Sequence, residues 1–558
     1  MENDRPSGRS FELGAPFNFS YHSLRGEFSG KIGLMKPQSN YWLDVAVREI
    51  LEKYPEGEIV VSSGISPSAS YHIGHFREIM TADALTWGIK QAGRSARHLH
   101  VVDNFDPLRK RYHFLPESFE QYVGWPISLV PDPIDACRDE HKTYAEHFYR
   151  EFEGYARQMG IVPDEVVRSY EQLYASGKMA SSIEKAVENV GRIKTIMKEV
   201  SKRDLPDGWL PLQLMGPNKS FAELTYKSID TKAKRIIGIS TDGIEHSLDY
   251  TAGEVKMYWR LDWPARWQVL GVKVEPFSIQ EHGAAGGSYE TGVRLDREIF
   301  DYEPPIPGVR YGNIHMQGDT KKMSSSSGNL ITPEQALQIM PPEVLRYFIA
   351  RSRPERTLFW ESNQGLMKLL EEFAQVGQAV DAGEPHEFAE AYAFAMASKV
   401  HNTISSVPFN HLIQVWQASR GDQVRALEVL ERTDFSEAVK NESDVLEREF
   451  VYVAKWLELY APETVKFSVQ EVLPQVELSE QQRDFLGKLV DAVAESELDG
   501  QGMHQAIYAA IDAAGLKPGE AFKALYRVIL GKDSGPKAGW FLASLERGWL
   551  VERLHLTK

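Results

Sequence analysis

Two short runs in this 558-residue chain carry the residue types that phosphate chemistry needs. The first is Pro67-Ser68-Ala69-Ser70-Tyr71-His72-Ile73-Gly74-His75, between an apolar run at Ile59-Val60-Val61 and a helical pattern that continues to Gly93. That placement predicts a turn ending in a helix N-terminus. Such an end exposes unpaired backbone N–H groups and the positive end of the helix dipole, and both attract phosphate. His72 and His75 would donate hydrogen bonds as charge builds on an α-phosphorus, and Gly74 would let a flat base approach the backbone closely. A His-Ile-Gly-His run also serves as an ordinary helix start. The second run is Lys321-Lys322-Met323-Ser324-Ser325-Ser326-Ser327-Gly328-Asn329, just before Thr332-Pro333-Glu334, which opens another helix. Lysine ammonium groups neutralise phosphate, while hydroxyls and backbone N–H groups add neutral donors, so this loop suits closure over a triphosphate. By itself it also reads as a serine-rich linker.

Positioning such loops calls for a rigid frame, and the flanking patterns supply one. Residues 41–54 have helical apolar spacing and stop at Pro55-Glu56-Gly57. The strand at 59–61, the turn-rich stretch 62–68, the helix to Gly93 and a strand over Ala96 to Asp103 make a βαβ unit, which favours a parallel α/β sheet. From about 107 to 255 the pattern is mainly helical and charged, as in an insertion between two halves of a sheet. Strand character returns from Val269 to Pro276, followed by the loop Gln280 to Thr291. Beyond about 335 the chain is almost wholly helix-like, interrupted at 381–385.

At 63.2 kDa the chain exceeds one ordinary core, so several domains are expected. Its 42% hydrophobic and 25% charged residues are those of a globular protein, with no membrane-spanning apolar run. Residues 1–31 lack the continuous apolar segment of a secretory signal, so a cytoplasmic location is expected. The single cysteine, Cys137, excludes an internal disulfide and a cysteine-rich zinc site, and reads as structural. With a net charge of −16, contact with nucleic acid would fall to local basic segments. These are Arg109-Lys110-Arg111, Lys232-Ala233-Lys234-Arg235 and residues 185–203, each of which also reads as a solvated face.

Together the two runs resemble the HIGH and KMSKS signatures of class I aminoacyl-tRNA synthetases. The segments SGISPSASYHIGHFRE, YWRLDWPARW, EHGAAGGSYETG and LGKDSGPKAGWFL resemble the class I lysyl-tRNA synthetases in particular, and they span residues 63–542. The resemblance implies a Rossmann-like α/β catalytic domain at 1–106 and 250–330 with a mainly helical connective insertion at 107–249. A stem-contact region at 331–380 and an all-α helix-cage anticodon-binding domain at 381–558 would follow, with Trp416, Arg420 and Arg425 in a partly cationic helical region of it. It implies formation of lysyl-adenylate from L-lysine and ATP, then transfer to tRNA(Lys), with no covalent enzyme nucleophile.

On the same resemblance, His72, Gly74, His75 and Lys322 are the catalytic residues. Pro67, Ser68, His72, Gly74, His75, Lys321, Lys322, Met323, Ser324 and Ser325 would bind ATP, with Mg²⁺ held by phosphates and water. Gly64 and Ser66 would meet the amino-acid head group, and Trp259, His282 and Tyr311 the side chain. For the lysine ammonium, Asp103, Asp106, Asp262 and Glu290 are all candidates. No protein metal ligand and no structural zinc are expected, and a monomer is favoured.

Three departures stand out. Ser325 occupies the place of a second loop lysine, a loss of about 1.5–3 kcal/mol if it removes one charge-assisted bond. Ala69 replaces a glycine, and the insertion lacks the cysteines some relatives use for zinc. Two alternatives follow: a class I enzyme for another amino acid, glutamyl or arginyl, of which the glutamyl case would show an excess of arginine around a carboxylate pocket, or a synthetase-like paralogue without efficient activation.

Overall fold

The computed structural model describes residues 39–134, 142–319, 323, 330–397, 404–495 and 499–556. Cys137, Lys321, Lys322, Ser324 and Ser325 lie outside the described residues.

The chain opens with α1 (Trp42–Lys53), β1 (Ile59–Ile65), α2 (Phe76–Gln91), β2 (Ala96–Val102), α3 (Tyr144–Gln158) and β3 (Glu165–Arg168). The three strands form a parallel sheet in the order β1-β2-β3. On the other edge of β1, Val61 bridges Val274 and Val274 bridges Ile306, both in parallel, so the layer continues there. Both faces are buried, as a parallel sheet requires. Val61 packs with Val47, Ile50 and Phe76 on one side, whereas Val60, Leu99 and Val167 join a separate cluster on the other. Because the chain leaves β1 for β2 on one side and returns beside it at Val274 on the other, the carboxyl end of β1 is a topological switch point. Crevices open at such points in α/β sheets.

The segment 107–249 is less helical than its pattern suggests. It contains α3, α4 (Ala180–Glu188) and α5 (Val190–Ser201), but also β3 and β4 (Leu212–Leu214). It further holds an antiparallel sheet of β5 (Thr225–Asp230), β6 (Arg235–Ile239) and β7 (Glu245–Asp249). β3 is four residues long, too short for periodicity to register. β5 is polar and largely exposed, so its alternation is faint. Turn chemistry makes this sheet instead: Asp230 accepts from the backbone N–H groups of Lys232 and Ala233, and Gly243 takes the left-handed conformation at the next turn.

β8 (Val255–Met257) pairs with β4 and feeds α6 (Trp259–Leu270), so Val269 and Leu270 finish a helix where the sequence suggested a strand. The extended chain begins after Gly271 and leads to β9 (Phe277–Ser278), α7 (Ser288–Leu295), β10 (Arg310–Tyr311) and β11 (Ile314–Met316). β9 pairs in parallel with β10. Next come α8 (Pro333–Leu337), α9 (Pro342–Ala350), β12 (Leu358–Trp360), parallel to β11, and α10 (Gln364–Asp381). α8 starts as its sequence indicates, with Thr332 and Gln335 in a reciprocal capping box. The remaining described elements are helices, from Ala389–Met396 to Arg547–Leu554, and the last of them share a core around Phe485, Leu489, Ile507, Leu525 and Phe541. No described helix is long and apolar enough to cross a membrane.

Candidate active site

A cleft of about 640 Å³ lies at the switch point. One end is the turn after β1. Pro67 is buried in that turn, and Ser66 before it is biased toward extended backbone, which ends the strand. The Tyr144 hydroxyl donates to Ser68 O at 2.6 Å, and Ile73 N–H donates to Ile331 O at 3.1 Å, tying the turn to the chain that follows the serine-rich run. His72 and His75 then form a capping box. Gly74 N–H donates to His72 Nδ1 and His72 N–H to His75 Nδ1, each at 3.1 Å. A neutral imidazole that accepts at Nδ1 carries its proton on Nε2. His72 therefore holds the tautomer that donates through the far nitrogen; the His75 ring lies 3.9 Å from it, with its Nδ1 also 3.3 Å from His72 O.

A Cβ at Gly74 would lie 2.8 Å from the His72 ring, so the glycine makes room for the imidazole that caps the turn.

Ser68, His72, Gly74, His75 and the buried Met323 line the cleft, whereas Pro67 supports the turn from beneath. Gly64, Ser66, Trp259, His282 and Tyr311 line it as well, so the two sets of expected residues share one space. Trp259 opens α6 and stacks on Trp263 at 5.6 Å, and the His282 ring lies 5.0 Å from Trp263.

The acidic candidates divide sharply. Asp103 is bound by the Arg266 guanidinium, and Asp106 receives Lys256 Nζ at 2.6 Å. Asp262, fully buried, accepts from the Tyr174 hydroxyl at 2.5 Å with Lys256 and Arg266 at 3.8 and 3.5 Å. Burial would raise the Asp106 carboxyl, but Lys256 outweighs it and holds the group below its usual range. Burial lifts Asp103 to about 6 against the pull of Arg266. Glu290 accepts from Gly286 N–H at 2.8 Å and does not line the cleft.

The carboxylates that the sequence reading passed over are Glu78, Glu275 and Glu281, all lining the cleft. Glu78 accepts from Gly64 N–H and the Tyr311 hydroxyl, each at 2.7 Å. Burial pushes its carboxyl up to about 8, opposed by those two bonds and assisted by nearby Glu275 and Glu281. Glu275 accepts from the indole N–H groups of Trp263 and Trp267. The signal for Glu78 was present, since it follows His75 by three residues and so shares its helix face. Arg266 was missed too: its guanidinium sits 5.2 Å from the Trp259 ring centre and braces that wall. Among the described residues no group of three or more His, Cys, Asp or Glu is placed to hold a metal ion.

The cleft thus brings the His72–His75 turn together with three carboxyls and several aromatic rings. Residues 40–401 match the family described as tRNA synthetases class I (K). Lysine–tRNA ligase 1 of Methanosarcina acetivorans is 38% identical over 538 residues, covering 92% of this chain and 97% of that protein. The lysine–tRNA ligase of Archaeoglobus fulgidus is 37% identical, covering 92% and 99%. Among solved structures, a glutamate-tRNA synthetase from Elizabethkingia anophelis aligns with a TM-score of 0.44 at 11% identity, covering 90% of this chain and 99% of that one. The family match runs through the sheet and the whole cleft, and the relatives extend it along nearly all of the sequence: this chain belongs to the class I lysyl-tRNA synthetases.

Proposed function

We propose that the cleft activates L-lysine with ATP and passes it to tRNA(Lys). The observation that carries the amino-acid choice is the cluster of Glu78, Glu275 and Glu281 beside Trp259, Trp263 and Tyr311. A cationic side chain on an apolar stem suits carboxylates framed by aromatic faces. An acidic amino acid would need the reverse charge beside those rings, where the Arg266 guanidinium against Trp259 is already matched by Asp103.

In this reading the lysine carboxylate attacks the α-phosphorus of ATP, the bond to pyrophosphate breaks, and lysyl-adenylate forms. Ser68, the Nε2–H group of His72 and the His75 ring stabilise charge on the phosphate oxygens, joined by Lys321, Lys322, Ser324 and Ser325. Mg²⁺ arrives with ATP on phosphate oxygens and water. Gly64 and Ser66 orient the amino-acid head group, and Trp259, His282 and Tyr311 enclose its stem. The ribose hydroxyl at the tRNA terminus then bonds to the lysyl carbonyl carbon as AMP leaves and the hydroxyl proton passes to solvent. The helices beyond residue 381 would read the anticodon; there Trp416 stacks on Phe450 at 5.5 Å and Arg420 lies near Trp549. The enzyme is taken to work as a monomer in the cytoplasm. ATP–pyrophosphate exchange with each amino acid in turn, with and without tRNA, tests the reading. Lysine-dependent exchange supports it, and exchange with no amino acid under either condition would leave a non-catalytic paralogue.

A further inference from the structure

Arg77 sits on α2 directly before Glu78, yet it does not line the cleft. Its side chain is buried, and what it meets is backbone. Nη2 donates to Pro354 O at 2.6 Å and to Arg356 O at 3.0 Å, while Nη1 has no hydrogen-bond partner among the described residues. Burial pulls the guanidinium down to about 10, with Tyr311 and then Glu355 pulling the other way. Taking such a cation out of water is costly, and an apolar side chain could fill the same space. The two carbonyls are what a guanidinium can satisfy and an apolar group cannot.

Those carbonyls belong to the loop 351–357 between α9 and β12, which buries Pro354 and leaves Arg353, Glu355 and Arg356 exposed. Pro354 O is shared, because Gly312 N–H donates to it as well, at 2.8 Å. The approach is close: a Cβ on Gly312 would lie 2.8 Å from the Arg356 carbonyl and from Glu355 O. The residue before Gly312 is Tyr311, whose hydroxyl donates to Glu78, and the residue before Glu78 is Arg77. A closed circuit results. Two adjacent residues of α2 hold two adjacent residues at the end of β10, Glu78 from inside the cleft and Arg77 through Pro354 from behind it. On its other side the Tyr311 backbone is fixed independently, since Ile279 N–H donates to Tyr311 O at 2.9 Å.

We propose that Arg77 is a positioning residue for lysine recognition: it clamps the 351–357 loop behind Gly312 and so sets how deeply the Tyr311 hydroxyl meets Glu78. The inference rests on the function proposed above. It puts control of the side-chain pocket outside the cleft, in a joint between α2 and the segment beyond residue 331. Loss of the clamp should loosen Tyr311 from Glu78 while β9 still holds the strand, so lysine binding should suffer and ATP binding should not. The Tyr311 bond also opposes the upward push of burial on Glu78. Weakening it should raise that carboxyl further and move the pH at which lysine affinity levels off above about 8.

The test compares the wild-type protein with Arg77→Ala, Arg77→Lys and Gly312→Ala in ATP–pyrophosphate exchange with lysine, tRNA present, across a range of pH. Gly312→Ala strains the same joint from the loop side and leaves the buried arginine in place. Arg77→Ala and Gly312→Ala should each raise KM for lysine about ten-fold or more, keep KM for ATP within about two-fold, and move the levelling-off upward by about one pH unit. Arg77→Lys can serve one of the two carbonyls and should fall between Arg77→Ala and wild type. Combined with Tyr311→Phe, Arg77→Ala should cost much less than the product of the two single losses, because both changes break one circuit. A merely structural role would reduce the amount of active enzyme and leave both KM values and the pH profile as they are. That result, equal rises in the two KM values, or losses that multiply in the double variant would overturn the assignment. Absence of lysine-dependent exchange by the wild-type protein would remove the function and this inference together. Wild-type exchange with an unaltered lysine KM in both Arg77→Ala and Gly312→Ala would remove only the clamp.

Discussion

Replacing Glu78 with glutamine isolates the charge on which lysine recognition depends. The amide keeps an acceptor for Gly64 N–H and a polar partner for the Tyr311 hydroxyl, so size and both contacts survive while the negative charge is lost. A buried ammonium deprived of its counter-charge costs about 3–5 kcal/mol, which is about two to four decades in kcat/KM for lysine. The pH dependence gives a second signature. Burial holds the free carboxyl up at about 8, so below that value lysine must expel a proton as it binds. Lysine affinity should therefore fall about ten-fold for each unit of pH below 8 and level off above it. The lysine ammonium itself, with a pKa near about 10.4, stays charged throughout. Glu78→Gln has no such proton to lose, so its affinity should be both weak and flat. Calorimetric titration of lysine from about pH 6 to about pH 9, paired with exchange kinetics, reads both effects. A Glu78→Gln enzyme within about three-fold of wild type would refute the reasoning. So would a pH slope that survives in the variant.

Two further substitutions probe other parts of the molecule. Lys322→Ala should lower the activation rate by about one to two decades with much less effect on KM for ATP, as expected for a contact made mainly in the transition state; equal losses in both would mark it as ground-state binding. Asp296 is fully buried, neither carboxyl oxygen has a hydrogen-bond partner among the described residues, and burial pushes the group up to about 9. A carboxyl raised in the folded state stabilises most below its unfolded value, 3.8, and loses that contribution as pH rises toward 9. Wild-type stability in urea should thus decline between those limits more steeply than that of Asp296→Asn, and parallel declines would contradict it.

Much of this site was legible because its parts are local. The His72–His75 turn is a contiguous run after an apolar strand, and the helix start at Thr332 has a capping pattern readable from four residues. Gly64, Ser66, Trp259, His282 and Tyr311 came from family-like words rather than from spacing. What escaped is long-range or weakly patterned. The pairing of Asp106 with Lys256 joins residues 150 apart, and that of Asp103 with Arg266 residues 163 apart, so no local feature announces that these aspartates are already matched. The sheet β5-β6-β7 is polar enough to hide its period, and β3 is too short to have one.

Those distant pairs also decide which carboxylate is available to a ligand. Asp103, Asp106 and Asp262 share Lys256 and Arg266, with the Tyr174 hydroxyl completing the group. An incoming ammonium that turned to Asp103 would have to displace a buried guanidinium, and stranding that charge costs several kcal/mol. It would also loosen Arg266 from the face of Trp259 and so disturb the wall meant to enclose the substrate stem. Glu78 and Glu275 differ in kind, since the hydrogen bonds they accept come from neutral groups: a backbone N–H and a hydroxyl for one, two indoles for the other. Neutral donors orient a carboxyl without fixing a charge on it, so burial keeps Glu78 protonated below about pH 8 and an arriving cation draws out its ionised form. Between the two, Glu78 has the more direct claim, because Tyr311 and Gly64 tie it to both the side-chain wall and the head-group end of the same cleft.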